Sequence, residues 1–287
     1  MSITLQQSLL TYFSSRIDMD LSRLIFLGTA GSINAISRSS RSSGGFVLQV
    51  GTTQIQVDPG PGALIKAREY NINHAQTTAI LVSHNHLNHC NDLNVIIEAM
   101  THSGLDRRGL LLASKSVILP SENHHPFLTQ HHQNFIEKII PLEKNHKVGL
   151  ENMEIHAISA EHTDSTAVGF KFICPKFTLG YSGDTTVTQQ LMEELNGCDV
   201  LILNVPYPGN TSKDMNLDTE QAVKIVSFVR PKIAFLTHFG VEMLRVGPLD
   251  ESREIQRITG IECIAARDGL TVVPESYRDL KPMVRGF

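Results

Sequence analysis

The chain has 287 residues, 41% of them hydrophobic, and a formal net charge of −4. That length and apolar content suit one enzyme-sized domain with a large core rather than a string of modules, and no internal repeat or low-complexity linker divides it. The mild charge excludes a strongly basic surface that would recruit nucleic acid over its whole area; a local basic patch stays open, and a polyanionic substrate is allowed without being indicated.

In chain order, residues 1–20 are the first expected element. Leu5, Leu9, Leu10 and Phe13 alternate with polar residues as in a short amphipathic helix that packs on its own domain or on a second subunit, so a homodimer is one expectation. The segment lacks the basic start and long apolar core of a secretory signal. No stretch reaches the roughly 18 apolar residues that span a bilayer. Cys90, Cys174, Cys198 and Cys263 are scattered without a C-x-x-C pair, which fits a reducing compartment and a cytoplasmic protein. Residues 21–287 read as a single domain.

Strands are expected at 24–28, 46–50, 53–57 and 78–82. Between the first two lie the turn Gly28-Thr29-Ala30-Gly31-Ser32 and the loop Ser37-Arg38-Ser39-Ser40-Arg41-Ser42-Ser43-Gly44-Gly45. Arginine forks, hydroxyls and glycine amides are groups that hold phosphate, which makes Arg38, Arg41, Ser42 and Ser43 candidate substrate-binding residues; a solvated loop is the competing reading. The strand at 53–57 ends in the acidic turn Val57-Asp58-Pro59-Gly60.

The run Ser83-His84-Asn85-His86-Leu87-Asn88-His89 follows the apolar strand at 78–82. Three imidazoles so close together on a loop at a strand end are placed to converge on a metal ion. A helix over 91–100 comes next, with Asp92 either a helix-start carboxylate or a further ligand. Residues 101–148 are irregular in pattern, and their histidines, His102, His124, His125, His131 and His132, match no ligand spacing and read as surface or cleft-lining residues.

Three further apolar runs end in Glu161-His162-Thr163, in Ser182-Gly183-Asp184-Thr185 and in Thr237-His238-Phe239-Gly240. Glu161 and Asp164 are candidates to hydrogen-bond ligand imidazoles. Asp218 with Gln221 forms a capping box ahead of a helix that Pro231 stops, and the strand at 233–237 then delivers His238. A helix after Pro248 ends near Gly260, and strands at 262–265 and 270–273 close the pattern.

This ordered series resembles the metallo-β-lactamase superfamily over roughly residues 22–275. The resemblance implies an α/β fold, a four-layer αββα sandwich with ligands on loops along one edge of two facing sheets. It implies that His84, His86 and His162 bind a first metal, that His89 and His238 help bind a second, and that Asp184 bridges the two. Asn88 stands where the family has Asp, so the second site loses a charged ligand and an orienting group for water. Asn88, Asp184 and His238 are the implied catalytic residues. The expected cofactor is one or two Zn²⁺, with Mn²⁺ or Fe also accepted.

Such a site suits hydrolysis of phosphodiesters, lactones or thioesters by metal-activated water. Asp184 in place of the Cys of classical β-lactamases, with Gly180-Tyr181-Ser182-Gly183-Asp184-Thr185 around it, resembles the branch containing ribonuclease Z and the phosphodiesterases. A small phosphodiester, a cyclic nucleotide or short oligonucleotide, is the first expected substrate class. A lactonase or thioesterase on the same site, and a catalytically impaired ligand-binding relative, are the alternatives.

Overall fold

A computed structural model describes residues 21–39, 41–120 and 125–278. The expected N-terminal helix and His124 lie outside the described residues. Among the described residues fourteen strands run in chain order: β1 Arg23–Phe26, β2 Phe46–Val50, β3 Thr53–Val57, β4 Ala79–Val82, β5 Leu110–Ser114, β6 Lys138–Leu142, β7 Lys147–Leu150, β8 Met153–Ser159, β9 Val168–Ile173, β10 Thr178–Tyr181, β11 Val200–Asn204, β12 Ile233–Thr237, β13 Glu262–Ala265 and β14 Thr271–Val272. They form two seven-stranded sheets, ordered β14-β1-β2-β3-β4-β5-β6 and β13-β12-β11-β10-β9-β8-β7.

One apolar cluster lies between the sheets and draws on both, including Phe26, Phe46, Phe170, Phe172 and Phe235. Phe26 of the first sheet and Phe235 of the second stand 5.7 Å apart between ring centres. A second cluster packs helices Ala63–Glu69 and Leu93–Met100 on the outer face of the first sheet, and a third packs Gln189–Leu195, Thr219–Val229 and Pro248–Thr259 on the outer face of the second. Each sheet is thus covered on both faces, and the expected αββα sandwich is the observed architecture.

Local chemistry sets the helix ends as the sequence suggests. Asp218 caps the helix Thr219–Val229 by accepting from Gln221 N, but the expected capping box is not completed, because the Gln221 side chain accepts from Thr186 Oγ1 and Val187 N instead; Gly260 in a left-handed conformation ends Pro248–Thr259. Asp92 sits at the start of Leu93–Met100, but its side chain accepts from Leu64 N and so ties that helix to Ala63–Glu69. Residues 101–148 differ from expectation, for they contain β5, β6 and the first half of β7. β5 is an unalternating apolar run, the pattern of a strand covered on both faces, and β6 carries Pro141, which an edge strand tolerates. All four cysteines are buried and free. Among the described residues no helix is long and apolar enough to cross a membrane.

A buried histidine away from the sheet edge gives a pH test. His74 is 4% exposed, its Nδ1 lies 3.2 Å from Thr77 Oγ1, and burial lowers its pKa to about 4. Above the ordinary value of 6.5 the ring is neutral in folded and unfolded chains alike. As pH falls below that, the unfolded chain takes up a proton that the folded chain refuses, so stability drains away down to about pH 4. The loss amounts to roughly 3 kcal/mol. Urea midpoints measured from pH 7 to pH 4.5 should fall less steeply in His74→Leu than in the wild type; parallel slopes would contradict the assignment.

Candidate metal centre

The chemistry-bearing residues all sit just past the ends of strands that run in one direction. Asp58 follows β3, His84 to His89 follow β4, His162 follows β8, Asp184 follows β10 and His238 follows β12, while Asn204 ends β11. Parallel pairing of β3 with β4, and of β10, β11 and β12, brings these ends to one edge of each sheet, where crossing loops gather side chains. The two edges are joined there by Val168 N donating to Ser83 O at 3.1 Å and by Tyr181 OH donating to Asp58 Oδ2 at 2.6 Å.

Three imidazoles converge first. His84 Nε2 lies 3.0 Å and His162 Nε2 lies 3.2 Å from His86 Nδ1. Ligand nitrogens about 2.1 Å from a tetrahedral zinc stand roughly 3.4 Å apart, so this spacing fits one ion with little adjustment. Burial pushes His84 well below its ordinary pKa, with the neighbouring His89 adding to it; burial and His162 lower His86. Both therefore present neutral imidazoles, the form that ligates.

Asp184 stands between this set and a second one. Its Oδ2 is 3.9 Å from both His84 Nε2 and His162 Nε2, 3.1 Å from His89 Nε2 and 3.0 Å from His238 Nε2. Burial would raise the Asp184 carboxyl, but His238 and His89 hold it well below the ordinary range. Burial opposes a charge on His89 too, yet Asp184 and Asp58 raise its pKa to about 10. Two carboxylates thus flank this one buried ring, and a divalent ion bound beside Asp184 would take over the positive charge that they favour there. Asn88 reaches this second set, with Nδ2 3.3 Å from His238 Nε2 and 3.4 Å from Gly31 O. Rotating the amide exchanges its nitrogen and oxygen, so either end can face the site, but neither carries charge.

The backbone around the second set leaves almost no freedom. A Cβ on Gly31 would lie 2.0 Å from His238 O, and one on Gly60 would lie 2.0 Å from both Asn88 O and Ser43 O. Ser43 Oγ donates to Asn88 O at 2.6 Å. His238 itself is left-handed, at φ 65, an arrangement that costs a non-glycine residue energy and that its neighbours must enforce.

Partners that the sequence alone does not reveal hold the rings in place. Asp58 Oδ2 accepts from His89 Nδ1 at 2.9 Å and from Ser83 Oγ at 2.8 Å, and Asp58 Oδ1 accepts from Ser83 N at 2.7 Å. Asn204 Nδ2 donates to Asp184 Oδ1 at 2.6 Å and to Tyr181 OH at 3.1 Å. His162 Nδ1 lies 3.2 Å from Met215 O, a carbonyl presented by two consecutive left-handed residues, Asp214 and Met215. Such outer contacts carry about 10–100-fold in metal affinity, and Asp58→Asn is expected to weaken binding by that much in competition with a chromophoric chelator. Wild-type affinity in this variant would remove Asp58 from the centre.

Other expected residues are used differently. Asp164 binds no imidazole; it accepts from Asn85 N, Ser116 Oγ and Thr166, which fixes the histidine loop through its backbone. Glu161 N donates to Thr185 Oγ1. The expected phosphate loop is held internally: Arg41 donates to Thr29 Oγ1 and Ala266 O, Ser42 donates from N and Oγ to Asp268, and Ser43 is spent on Asn88. Arg38 lies in the last turn of the helix Ile33–Arg38. None of these four lines the main cleft. His102, His125, His131 and His132 join neither ligand set, and His132 Nε2 lies 3.2 Å from Glu98.

A cleft of about 380 Å³ opens over the ligands, with His86, Asn88, His162 and Asp184 at its floor and Ser32, Asn34, Tyr207 and Glu242 among its walls. Residues 53–239 match the family described as the Beta-lactamase superfamily domain. An uncharacterized protein of Methanocaldococcus jannaschii is 31% identical over 251 residues, 87% of this chain and 94% of that protein. Two solved structures share the fold. The metallo-beta-lactamase fold protein YhfI from Bacillus subtilis has a TM-score of 0.74 at 17% identity, covering 88% of this chain and 99% of that one. Human tRNase Z, short form, has a TM-score of 0.65 at 15% identity, covering 87% and 98%. With its sandwich, its edge-bound ligand loops and these matches, the chain belongs to the metallo-β-lactamase superfamily.

Proposed function

We propose that the chain is a metal-dependent hydrolase of small phosphodiesters, of the cyclic-nucleotide or short-oligonucleotide kind, with zinc as its metal. The observation that carries this reading is the placement of Asp184 between two imidazole sets at the floor of an open cleft. Divalent ions bound there would lower the pKa of water and withdraw charge from a phosphoryl oxygen. His84, His86 and His162 would hold one ion, and His89, His238 and Asn88 a second, with Asp184 shared by both. Two supports favour a phosphodiester. The ligand between the sets is a carboxylate where classical β-lactamases carry Cys, and a fold neighbour is named a tRNase. The cleft walls, with Ser32, Asn34, Thr163, Asp214, Asn216 and Glu242, offer polar groups rather than the apolar pocket that an acyl chain needs.

The neutral amide of Asn88 in the second set favours one other reading, a ligand-binding relative with weakened turnover. Metal content per chain and turnover of bis(p-nitrophenyl) phosphate, a lactone and a thioester separate the readings. A bound metal with chelator-sensitive turnover of the diester is the expected result. Turnover of the lactone or thioester without the diester, or of nothing in any metal, would overturn it.

A further inference from the structure

The cleft wall facing the ligand sets has a chemistry of its own. Tyr207, Asp214, Asn216 and Glu242 line it, and among the described residues no arginine or lysine does. Burial, and after it the neighbouring Asp214 carboxylate, raises the pKa of the Tyr207 hydroxyl. Asn216, only 9% exposed, donates from Nδ2 to Asp214 O at 3.1 Å and to Lys213 O at 3.5 Å, and its Oδ1 has no partner among the described residues. The wall therefore presents a ring face and two carboxylates, with a buried, unpartnered amide oxygen on Asn216 behind them. One cation does approach it, and it is the chain's own: the Lys213 ammonium lies 5.8 Å from the centre of the Tyr207 ring and 3.0 Å from Glu242 Oε1.

We infer that this wall recognises an ammonium group on one substituent of the phosphodiester, which competes with Lys213 for Tyr207 and Glu242. The inference rests on the phosphodiesterase reading. A cation over an aromatic face is attracted to the ring's negative quadrupole, and flanking carboxylates strengthen the pull. The Lys213–Glu242 pair is exposed, and pairs of that kind are weak enough to exchange readily. A substituent carrying further phosphates would instead meet Asp214 and Glu242, which repel it.

The test compares two esters with the same nitrophenolate leaving group and nearly the same shape, 2-aminoethyl p-nitrophenyl phosphate and n-propyl p-nitrophenyl phosphate, on the metal-loaded full chain. The wild-type ratio of kcat/KM, aminoethyl over propyl, should be roughly tenfold and should fall as salt rises. Glu242→Gln should lower the ratio towards one, and Lys213→Ala should raise it. A wild-type ratio of one or less, a ratio indifferent to salt, or a ratio unmoved by Glu242→Gln or lowered by Lys213→Ala would overturn the inference while leaving the phosphodiesterase standing. Absence of turnover for both esters would overturn the two together.

Discussion

Asn88→Asp should raise metal content from near one towards two ions per chain at limiting zinc and increase diester hydrolysis at least tenfold. The position is already aimed at the second set. Ser43 Oγ and the close approach of Gly60 fix the Asn88 backbone, and the amide lies 3.3 Å from His238 Nε2. The substitution keeps that geometry and adds one negative charge on the side of the set that Asp184 already faces through His89 Nε2 and His238 Nε2. The gain in affinity should at least match the roughly 10–100-fold carried by groups that merely support metal ligands. Without metal the sign reverses, since two carboxylates then repel each other across the same imidazoles. The metal-free variant should melt below the wild type and gain more on zinc addition. Elemental analysis, nitrophenolate release and melting with and without chelator read all three. Equal occupancy and equal rate in both proteins would show that this position does not limit function.

The parts of the centre that the sequence displays are those whose signal is local. Three histidines in six residues after an apolar strand, and single ligands placed at later strand ends, need no long-range knowledge to be read. What stays hidden depends on neighbours far apart in the chain. Asp58 is visible as an acidic turn, but its bonds to His89 and Tyr181 exist only once both sheets are in place. Met215 contributes a carbonyl, which has no residue signature at all. Asn204 ends a continuous apolar strand and looks like its boundary, whereas it orients Asp184. In the Arg41–Ser43 loop, groups suited to phosphate bond within the chain to Thr29, Asp268 and Asn88. Residue type proposes a partner, and topology decides which one is within reach.

Asp184→Asn should be the most damaging single change in the centre. The residue is 4% exposed, and Oδ2 lies within 3.9 Å of a nitrogen on each of His84, His89, His162 and His238. No other carboxylate among the described residues belongs to either ligand set. Asn204 Nδ2 donates to the opposite oxygen, so an amide at this position would turn its own oxygen towards Asn204 and its NH₂ towards the imidazoles. A donor would then occupy the place where the shared acceptor is needed. Metal content should fall towards zero in both sets together rather than in one. Metal assistance contributes several kcal/mol to such reactions, and at about 1.4 kcal/mol per tenfold its loss predicts a rate reduction on the order of 10³. Circular dichroism should show the sandwich intact, because the inter-sheet core of Phe26, Phe170 and Phe235 does not depend on this side chain. A variant that kept both metals, or lost only one, would contradict the shared role of Asp184 and leave the two ligand sets independent of each other.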